Sequence, residues 1–453
     1  MKIPGFTKLR ALWDTLRTSY WFVPSLMAAG TVMLWTAVHA VDVRLKEGGT
    51  QDLGWIYSGG PQGARELLGV VSGSMITVTG VTFSITIVAL TLASQQFGPF
   101  LLRNFMRDTG NQVVLGTFIS TFLFCLLTLR VIRDTSRVTN VPHLSVSVAI
   151  FLTMASLGVL IYFIHHVSSF IQASNIIYVV SLELRQAIDR LFPEPIGVAA
   201  EQDALAASDR RKLPPGFDAE SATVTSSKYG YIKAFDDEML LKAAMDHGLV
   251  VRLLKRPGDF VGEGDGIADV WPGLSLNREV EKNINESLLL GTQRTATQDV
   301  DFVFDQIVEV AVRSLSPGIN DPFTAIICID HLGQGLRRMA GREIPSPFRL
   351  ADDGALRVVA CGVTFPEMAD TAFNQIRHYG RSSVPVLKRL LDTIAAVATH
   401  VGREEDRQAL LRHALLIRET AGRGAREKGA RLEVEEKCLA TLSVLQRRDG
   451  RSP

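Results

Sequence analysis

The sequence has few cysteines and almost no net charge. The chain has four cysteines in 453 residues, and its formal net charge is +1. Because Cys125, Cys328, Cys361 and Cys438 form no CxxC pair and no spacing typical of zinc ligands, we expect no disulfide framework, no metal site and no other cofactor. A near-neutral charge balance also gives no reason to expect nucleic acid as a partner.

Catalytic signatures are missing as well. The sequence contains no GxSxG, HExxH, Walker A or DFG-type motif. The histidines of the C-terminal part show no metal-ligand spacing such as HxxxH; they are His247, His331, His378, His400 and His413. An enzyme is therefore the weakest of the function classes considered, and no catalytic residue is assigned.

Long apolar runs, by contrast, fill the first 175 residues. A bilayer core of about 30 Å needs about 20 apolar helical residues, and backbone groups in lipid must be paired within helices. Four stretches meet this length: Trp21–Val41, Leu67–Ala93, Val113–Val131 and Val146–Ile171. The sequence predicts a bundle of about four transmembrane helices in contact with the lipid bilayer.

The orientation of this bundle follows from charge and parity. Four basic residues within residues 2–17 precede the first run, and Arg103 and Arg107 lie between the second and third. These favour a cytoplasmic N-terminus, although Arg130, Arg133 and Arg137 would then break the positive-inside rule. An even number of spans puts both termini on one side, and we predict the cytoplasmic side.

The second apolar run carries a stripe of small and polar residues. Its members recur at spacings of three, four or seven, which places them on one helical face: Gly73, Thr77, Gly80, Ser84, Thr91 and Gln95. One interpretation is close helix–helix packing, because small residues let backbones approach. The other is a face that lines a pore or substrate path, since hydroxyls can replace ion hydration. Both hold if the helix packs around the axis of a homo-oligomer, which we therefore expect.

Two histidines sit late in the fourth run. Ionisable residues at membrane depth are candidates for function, which makes His165 and His166 of interest. Adjacent residues point about 100° apart on a helix, so the two are poorly placed to hold one metal together. An interhelical or interfacial hydrogen-bonding role and a proton- or ion-linked role both remain open.

The chain after the bundle is rich in charged residues, and this composition predicts a water-soluble part. The fold class is thus a membrane α-helical bundle plus a cytoplasmic α+β domain that is mostly helical with a small β-rich module. We expect the helix of the fourth run to continue as a stalk. The predicted domains are a bundle (1–175), a stalk and linker (176–221), a β-rich module (222–272), a mainly helical domain (273–448) and a tail (449–453).

One turn of the soluble part gathers polar residues at a predicted helix start. In SLSPGINDPFTA, Asn320 and Asp321 precede Pro322, a good N-cap arrangement that by itself explains the turn. A helix N-terminus also suits anions or carboxylate-bound cations. The alternative is therefore a ligand site, whose candidate residues are Arg294, Gln298, Asp299, Ser316, Asn320, Asp321 and Thr324.

Three segments together resemble a known family. TFSITIVALTLASQQFGPFLLRNFMRD, the GYI…PGDFV stretch and TQD…LSPGINDPFTA are similar to bacterial predicted membrane proteins labelled domain of unknown function 2254. The resemblance covers nearly the whole chain. It implies a multi-pass protein of the bacterial inner membrane with an N-terminal helix bundle and a C-terminal cytoplasmic domain, and it implies no activity.

Two function hypotheses follow. The first is an oligomeric ion channel or transporter-like protein, in which the second helix lies near the conduction path and the soluble domain regulates it. The alternative is a membrane-anchored sensory or scaffolding protein that binds a small ligand or partner through its soluble domain.

Overall fold

The computed structural model divides the chain into two compact units, Met1–Asn175 and Ile176–Pro453. It describes residues 20–48, 57–98, 108–135, 138–170, 172–192, 213–351, 353–424 and 427–446. The basic residues 2–17, Arg103, Arg107 and Arg137, the last residue of the fourth predicted run, most of the predicted linker and the predicted tail lie outside the described residues.

The first unit is built on long apolar helices. These are α1 (Phe22–Gly48), α2 (Pro61–Phe97), α3 (Thr109–Val131) and α4 (His143–Phe170). Between α3 and α4 lies an antiparallel hairpin of β1 (Arg133–Thr135) and β2 (Val138–Asn140). Each helix is long and apolar enough to cross a membrane, which confirms the bundle of four predicted from the apolar runs.

The second helix is longer than its apolar run. We predicted Leu67–Ala93, whereas α2 has 37 residues from Pro61 to Phe97. Proline is favourable in the first helical turn because its missing N–H would have no partner there. Gly98 ends the helix with a φ of 106°, a conformation that glycine adopts without strain.

The second unit is mostly helical. Its helices are α5 (Ala173–Leu191, whose first three residues belong to the first unit), α6 (Phe217–Glu220), α7 (Asp237–Asp246), α8 (Arg278–Ser287), α9 (Val300–Ser314), α10 (Pro322–Ala340), α11 (Phe365–Tyr379), α12 (Val384–Ala398), α13 (Glu404–Gly424) and α14 (Lys428–Gln446). The expected continuous stalk is interrupted, because α4 ends at Phe170 and α5 begins at Ala173.

Two small sheets accompany these helices. The strands are β3 (Ala222–Thr225), β4 (Gly230–Phe235), β5 (Val250–Leu253), β6 (Phe260–Val261), β7 (Gly266–Trp271), β8 (Leu288–Gly291), β9 (Phe348–Leu350) and β10 (Leu356–Val359). One sheet has the order β3-β7-β5-β10-β9 and the other β6-β4-β8. Only the β5–β10 pair is parallel among the strands described. The α+β class is thereby confirmed.

The two sheets include strands that lie outside the segment predicted as the β-rich module. β8, which lies in the segment predicted as mainly helical, pairs with β4, and β10 pairs with β5 at Val358 and Val251. A buried core shared by the strands, α7 and α8 includes Ile232, Val251 and Ile284. Such pairings join positions far apart in sequence, so local periodicity does not reveal them.

Candidate functional site

The stripe of α2 lies on an exposed face of the helix. All six of its residues, Gly73, Thr77, Gly80, Ser84, Thr91 and Gln95, are exposed. A Cβ added at Gly73 or Gly80 would meet no described atom within 4 Å. The buried face of α2 points elsewhere and packs against α3, where Met75 and Ala89 share a core with Val114 and Phe118. The stripe therefore belongs to a surface that the described part of the chain leaves uncovered.

The hydroxyls of this face are bonded within the helix. Thr77 Oγ1 donates to the carbonyl of Gly73 at 2.9 Å, and Ser84 Oγ donates to that of Gly80 at 2.9 Å. Thr91 does the same with Ile87. Such bonds to the preceding turn satisfy the hydroxyl proton and allow the residue to enter lipid or a helix interface. The oxygen lone pairs stay available to a cation.

The two histidines of α4 have different surroundings. His165 is exposed, whereas His166 Nε2 lies 2.5 Å from Asp108 Oδ2. Tyr162 stacks on the His166 ring with centroids 5.2 Å apart. Asp108 also caps α3 by accepting from the Gly110 N–H at 3.1 Å. The pair thus ties the end of α4 to the start of α3.

Gly110 makes room for this pair. A Cβ there would lie 2.8 Å from His166 Nε2, closer than a Cβ atom approaches another heavy atom in proteins. Sequence reasoning singled out His166 but missed Asp108 and Gly110. The signal was present, because Asp108-Thr-Gly at the start of an apolar run is typical of a helix N-cap.

Asp42 is a second polar link that sequence reasoning missed. It lies within the first apolar helix and is 6% exposed. Its carboxylate accepts from the Leu144 N–H at 2.9 Å, the Ser145 N–H at 2.8 Å and the Ser145 hydroxyl at 2.5 Å. Asp42 therefore caps the N-terminus of α4 from α1. A carboxylate within a helix that can span the membrane needs a polar partner.

In the second unit, the half-buried Arg294 forms an ion pair with the buried carboxylate of Asp299. Arg294 Nε donates to Asp299 Oδ2 at 2.8 Å, and its NH1 donates to Asp305 Oδ2 at 2.8 Å. The side chain of Asp299 is 2% exposed and also caps α9 by accepting from the Phe302 N–H. Burial lowers the pKa of Arg294, but Asp299 and Asp305 outweigh this and hold it above its ordinary value.

Arg294, Gln298 and Asp299 lie at a corner where the sheets meet the start of α9. Gln298 accepts from the Phe235 N–H at 2.9 Å and donates to its carbonyl at 3.1 Å, which fastens β4. Gly258, at a φ of 98°, approaches the Asp299 carboxylate so closely that a Cβ would lie 2.2 Å from Oδ2. The PGDFV and TQD segments therefore meet here, with internal partners for Arg294, Gln298 and Asp299.

The SPGINDPFTA turn is held by its own backbone and by Asp321. The Asp321 N–H donates to the Ser314 carbonyl at 2.7 Å, and Asn320 has a φ of 50°. Asp321 Oδ1 accepts from the N–H groups of Phe323 and Thr324, and Oδ2 accepts from the Thr324 hydroxyl at 2.6 Å. Capping thus occupies both oxygens of this carboxylate, which disfavours a ligand there.

The two halves of the predicted ligand site do not come together. Arg294, Gln298 and Asp299 precede α9, whereas Ser316–Thr324 follows it. The helix has 15 residues, so its ends are about 21 Å apart at 1.5 Å per residue. The expectation that both groups serve one region therefore lacks structural support. In the described residues, no group of three or more His, Cys, Asp or Glu side chains is arranged to hold a metal ion.

A third charged contact lies at the same corner, beside the first turn of α9. Arg256 NH2 lies 3.0 Å from Asp301 Oδ2, and Thr371 donates to Asp301 Oδ1 at 3.2 Å. Burial raises the pKa of Asp301 against the lowering effect of Arg256. Burial likewise raises the pKa of Asp305, which Arg294 opposes. These partners stabilise a structural junction between the sheets and the helices.

Comparison with known proteins now supplies the family. A family model described as predicted membrane protein, domain of unknown function 2254, matches residues 17–396. The chain belongs to this family. It is similar to uncharacterized proteins of Mycobacterium bovis and Mycobacterium tuberculosis, each 29% identical over 449 residues that cover 97% of this chain and 83% of the relative. No solved structure matches.

Family membership confirms the resemblance noted in the sequence and the assignment as a membrane protein. The match begins at residue 17 and includes all four apolar helices, the sheets and the SPGINDPFTA turn. The family's description assigns no activity, so function has to be argued from the residues themselves.

The adjacent histidines of this family member offer a matched test. We expect His166→Leu to lower the stability of the helix bundle by about 1–3 kcal/mol, because a partly buried carboxylate, Asp108, loses its partner. His165→Leu should change stability little, since His165 is exposed. The midpoint of SDS-induced unfolding of the detergent-solubilised chain measures both. Equal midpoints for the two variants would contradict the interpretation of the His166–Asp108 pair.

Proposed function

We propose that this protein is a homo-oligomeric, channel-like or transporter-like membrane protein, assembled through the exposed face of α2. The observation that carries the proposal is the uncovered stripe: Gly73 and Gly80 offer close approach, and the hydroxyls of Thr77, Ser84 and Thr91 lie along the same face. Without a hydrophobic drive between helices in lipid, small residues that let backbones pack closely favour association.

The same face supports a path for ions or small polar solutes. When several copies of α2 surround an axis, their hydroxyl oxygens can replace part of an ion's hydration shell. Gln95 adds an amide near the C-terminal end of the helix. The remaining exposed surface of α2 includes Val70, Ile76 and Val88, as lipid contact requires. The second unit would then act as a gate or sensor.

We place both termini in the cytoplasm of a bacterial cell, with the four spans in the inner membrane. Four spans put the two termini on the same side. The cysteines Cys125, Cys328, Cys361 and Cys438 are free thiols, and Cys361 is exposed. Free exposed thiols are ordinary in the reducing cytoplasm and uncommon outside it, which supports this side for the second unit.

Glycine substitutions in α2 test the assembly. The double variant Gly73→Leu/Gly80→Leu is expected to dissociate the oligomer, because two bulky side chains separate the helices. Gly158→Leu is the matched control, since Gly158 is also an exposed glycine of a membrane helix with no described atom within 4 Å of a Cβ. Native mass spectrometry in detergent gives the subunit number of each. A monomeric wild-type chain would overturn the assembly.

Ion flux from proteoliposomes tests the path on the same proteins. Wild type should conduct under some combination of voltage, membrane tension and pH, and Ser84→Leu/Thr91→Leu should lower the rate by about tenfold, since the hydroxyls are lost. Absence of wild-type flux under all of these conditions would contradict a conduction path, whatever the subunit number.

A further inference from the structure

The SPGINDPFTA turn presents apolar side chains to its surroundings. Phe323 is 76% exposed and Ile319 is 47% exposed, although the turn that carries them is held by its own hydrogen bonds. Burying a side chain of this size is worth about 1.5–3 kcal/mol. A well-ordered turn that leaves two such side chains exposed is typical of a surface that contacts a partner.

Neighbouring segments extend the same end of the second unit. A Cβ at Gly380, after α11, would lie 3.5 Å from Leu315 at the base of the turn, and Tyr379 beside it is 52% exposed. A Cβ at Gly424, at the end of α13, would lie 2.4 Å from the carbonyl oxygen of Arg381. The turn and the ends of α11 and α13 are therefore neighbours.

Basic residues lie in these segments. Arg381, Arg423 and Lys428 are exposed there; Arg423 pairs with Glu419 at 2.6 Å, and Glu427 offsets one further charge. Aromatic and aliphatic tips bordered by Arg and Lys are the composition that binds the headgroup region of an anionic bilayer.

The direction of α5 relative to α10 shows which end of the unit this is. A Cβ at Gly335 would lie 2.7 Å from Leu184 Cδ2. Further along both helices, Asp189 accepts from Arg338 NH2 at 2.8 Å and pairs with Arg342 NH2 at 2.8 Å. Because later residues of α5 contact later residues of α10, the two helices run in the same direction.

This register shows at which end of the second unit the turn lies. Pro322, the first residue of α10, is 13 residues or about 20 Å before Gly335. Because α5 runs in the same direction and begins at Ala173, 11 residues before Leu184, Ile319 and Phe323 lie at the end of the second unit from which α5 starts.

The first turn of α5 is tethered to the last membrane helix. Only residues 171 and 172 separate Phe170, where α4 ends, from Ala173, a gap that three Cα–Cα steps span in at most about 11 Å. The first ten residues of α5 contain no charged side chain, and Tyr178, Val179 and Leu182 among them are exposed. An uncharged helix start with an exposed tyrosine suits the membrane interface.

We propose that this end of the second unit docks on the lipid surface, with Ile319 and Phe323 inserted into the interface and Arg381, Arg423 and Lys428 facing anionic headgroups. The SPGINDPFTA turn is then a lipid contact rather than a small-ligand site. The proposal rests on the membrane assignment and is independent of oligomerisation or conduction.

Fluorescence quenching by spin-labelled lipid tests the docking on the full chain in vesicles that contain phosphatidylglycerol. A Cys361→Ser background removes the exposed thiol, since the other three cysteines are buried. Phe323→Cys and Leu274→Cys are each labelled with an environment-sensitive nitrobenzoxadiazole dye. Leu274 is the matched control, because it is a fully exposed apolar residue. It lies in the turn after β7, in the part of the second unit that meets the start of α9 and not its end.

We expect a nitroxide near the headgroup end of the acyl chain to quench the dye at position 323 about twofold or more relative to position 274, because a side chain in the interface meets lipid nitroxides. Ile319→Cys should behave like Phe323→Cys. Equal quenching at 323 and 274 would overturn the proposal. A blue-shifted but unquenched dye at 323 would also overturn it, because a protein surface such as a second copy would then cover the turn.

Discussion

Replacing Arg294 by Met is expected to lower the free energy of unfolding of the second unit by about 3 kcal/mol, because the buried carboxylate of Asp299 loses its cation while Arg294 itself is only half-buried. Arg294 is the partner of Asp299, whose side chain is 2% exposed, and of Asp305. Its guanidinium also lies over the Phe302 ring, 5.3 Å from the centroid. Met keeps the apolar stem but leaves a buried carboxylate without its cation.

The loss should extend beyond the ion pair itself. Asp299 caps α9 and lies against Gly258, while the adjacent Gln298 fastens β4. A displaced Asp299 would therefore loosen the junction between the sheets and the helices. Amide exchange of the β4 backbone should speed up in Arg294→Met more than that of α12, which lies away from this corner.

Arg313→Met is the control at the other end of the same helix. Arg313 pairs with Glu309 one turn earlier and is 37% exposed, so its loss should cost no more than about 1 kcal/mol. Pulse proteolysis of the detergent-solubilised full chain in increasing urea gives both midpoints. The interpretation of Arg294 fails if the two variants unfold at the same urea concentration.

Local chemistry predicts part of this fold well. Apolar runs of about 20 residues identify the four membrane helices because lipid imposes both length and pairing on the backbone. Asn320-Asp321-Pro322 predicts where α10 begins, since the cap depends on three neighbouring residues. The resemblance to the family likewise rested on contiguous segments.

Long-range contacts were beyond the reach of the sequence. The residues around Asp42 do not indicate that Ser145 is its partner, and those around Val251 do not indicate a pairing with Val358. Such partners depend on tertiary packing. The ligand site itself stays a prediction, but the sequence could not show that its two groups of residues lie at opposite ends of one helix. Arg294 and Asp321 both precede helix starts, but the 15-residue α9 stands between them.

His413 illustrates how burial overrides a polar sequence context. It is flanked by Arg412 and lies in a charged helix, yet its side chain is 0% exposed. The ring packs edge-on against Phe373, with centroids 5.3 Å apart, and Nε2 lies 3.1 Å from Asp370 Oδ1. Burial lowers the pKa of His413 to about 4; Asp370 opposes this, whereas Arg412 and Arg377 add to it.

A pH-dependent loss of stability follows from this lowered pKa. The unfolded chain binds the His413 proton near pH 6.5 and the folded chain near pH 4, so unfolding takes up a proton between these values. The contribution is fully present above about pH 6.5 and is lost as the pH falls to about 4. At about 1.4 kcal/mol per pH unit, the wild type should lose about 3 kcal/mol across this window.

His413→Leu should remove this loss, because leucine fills the buried position without binding a proton. Asp370 keeps a partner in Arg412, whose NH2 donates to it at 2.8 Å. His378→Leu is the control, since His378 is exposed at the end of α11. Urea midpoints from pulse proteolysis at several pH values between 4 and 7 give the difference curves.

The difference between variant and wild type isolates His413 from other titrating groups. Burial raises the pKa of Asp301 and Asp305, which stabilises the folded chain as the pH falls, and burial lowers the pKa of His331, which does the reverse. All three are present in every protein compared, so their effects cancel. If His413→Leu lost as much stability on acidification as His378→Leu, His413 would not be the buried neutral imidazole that its contacts indicate.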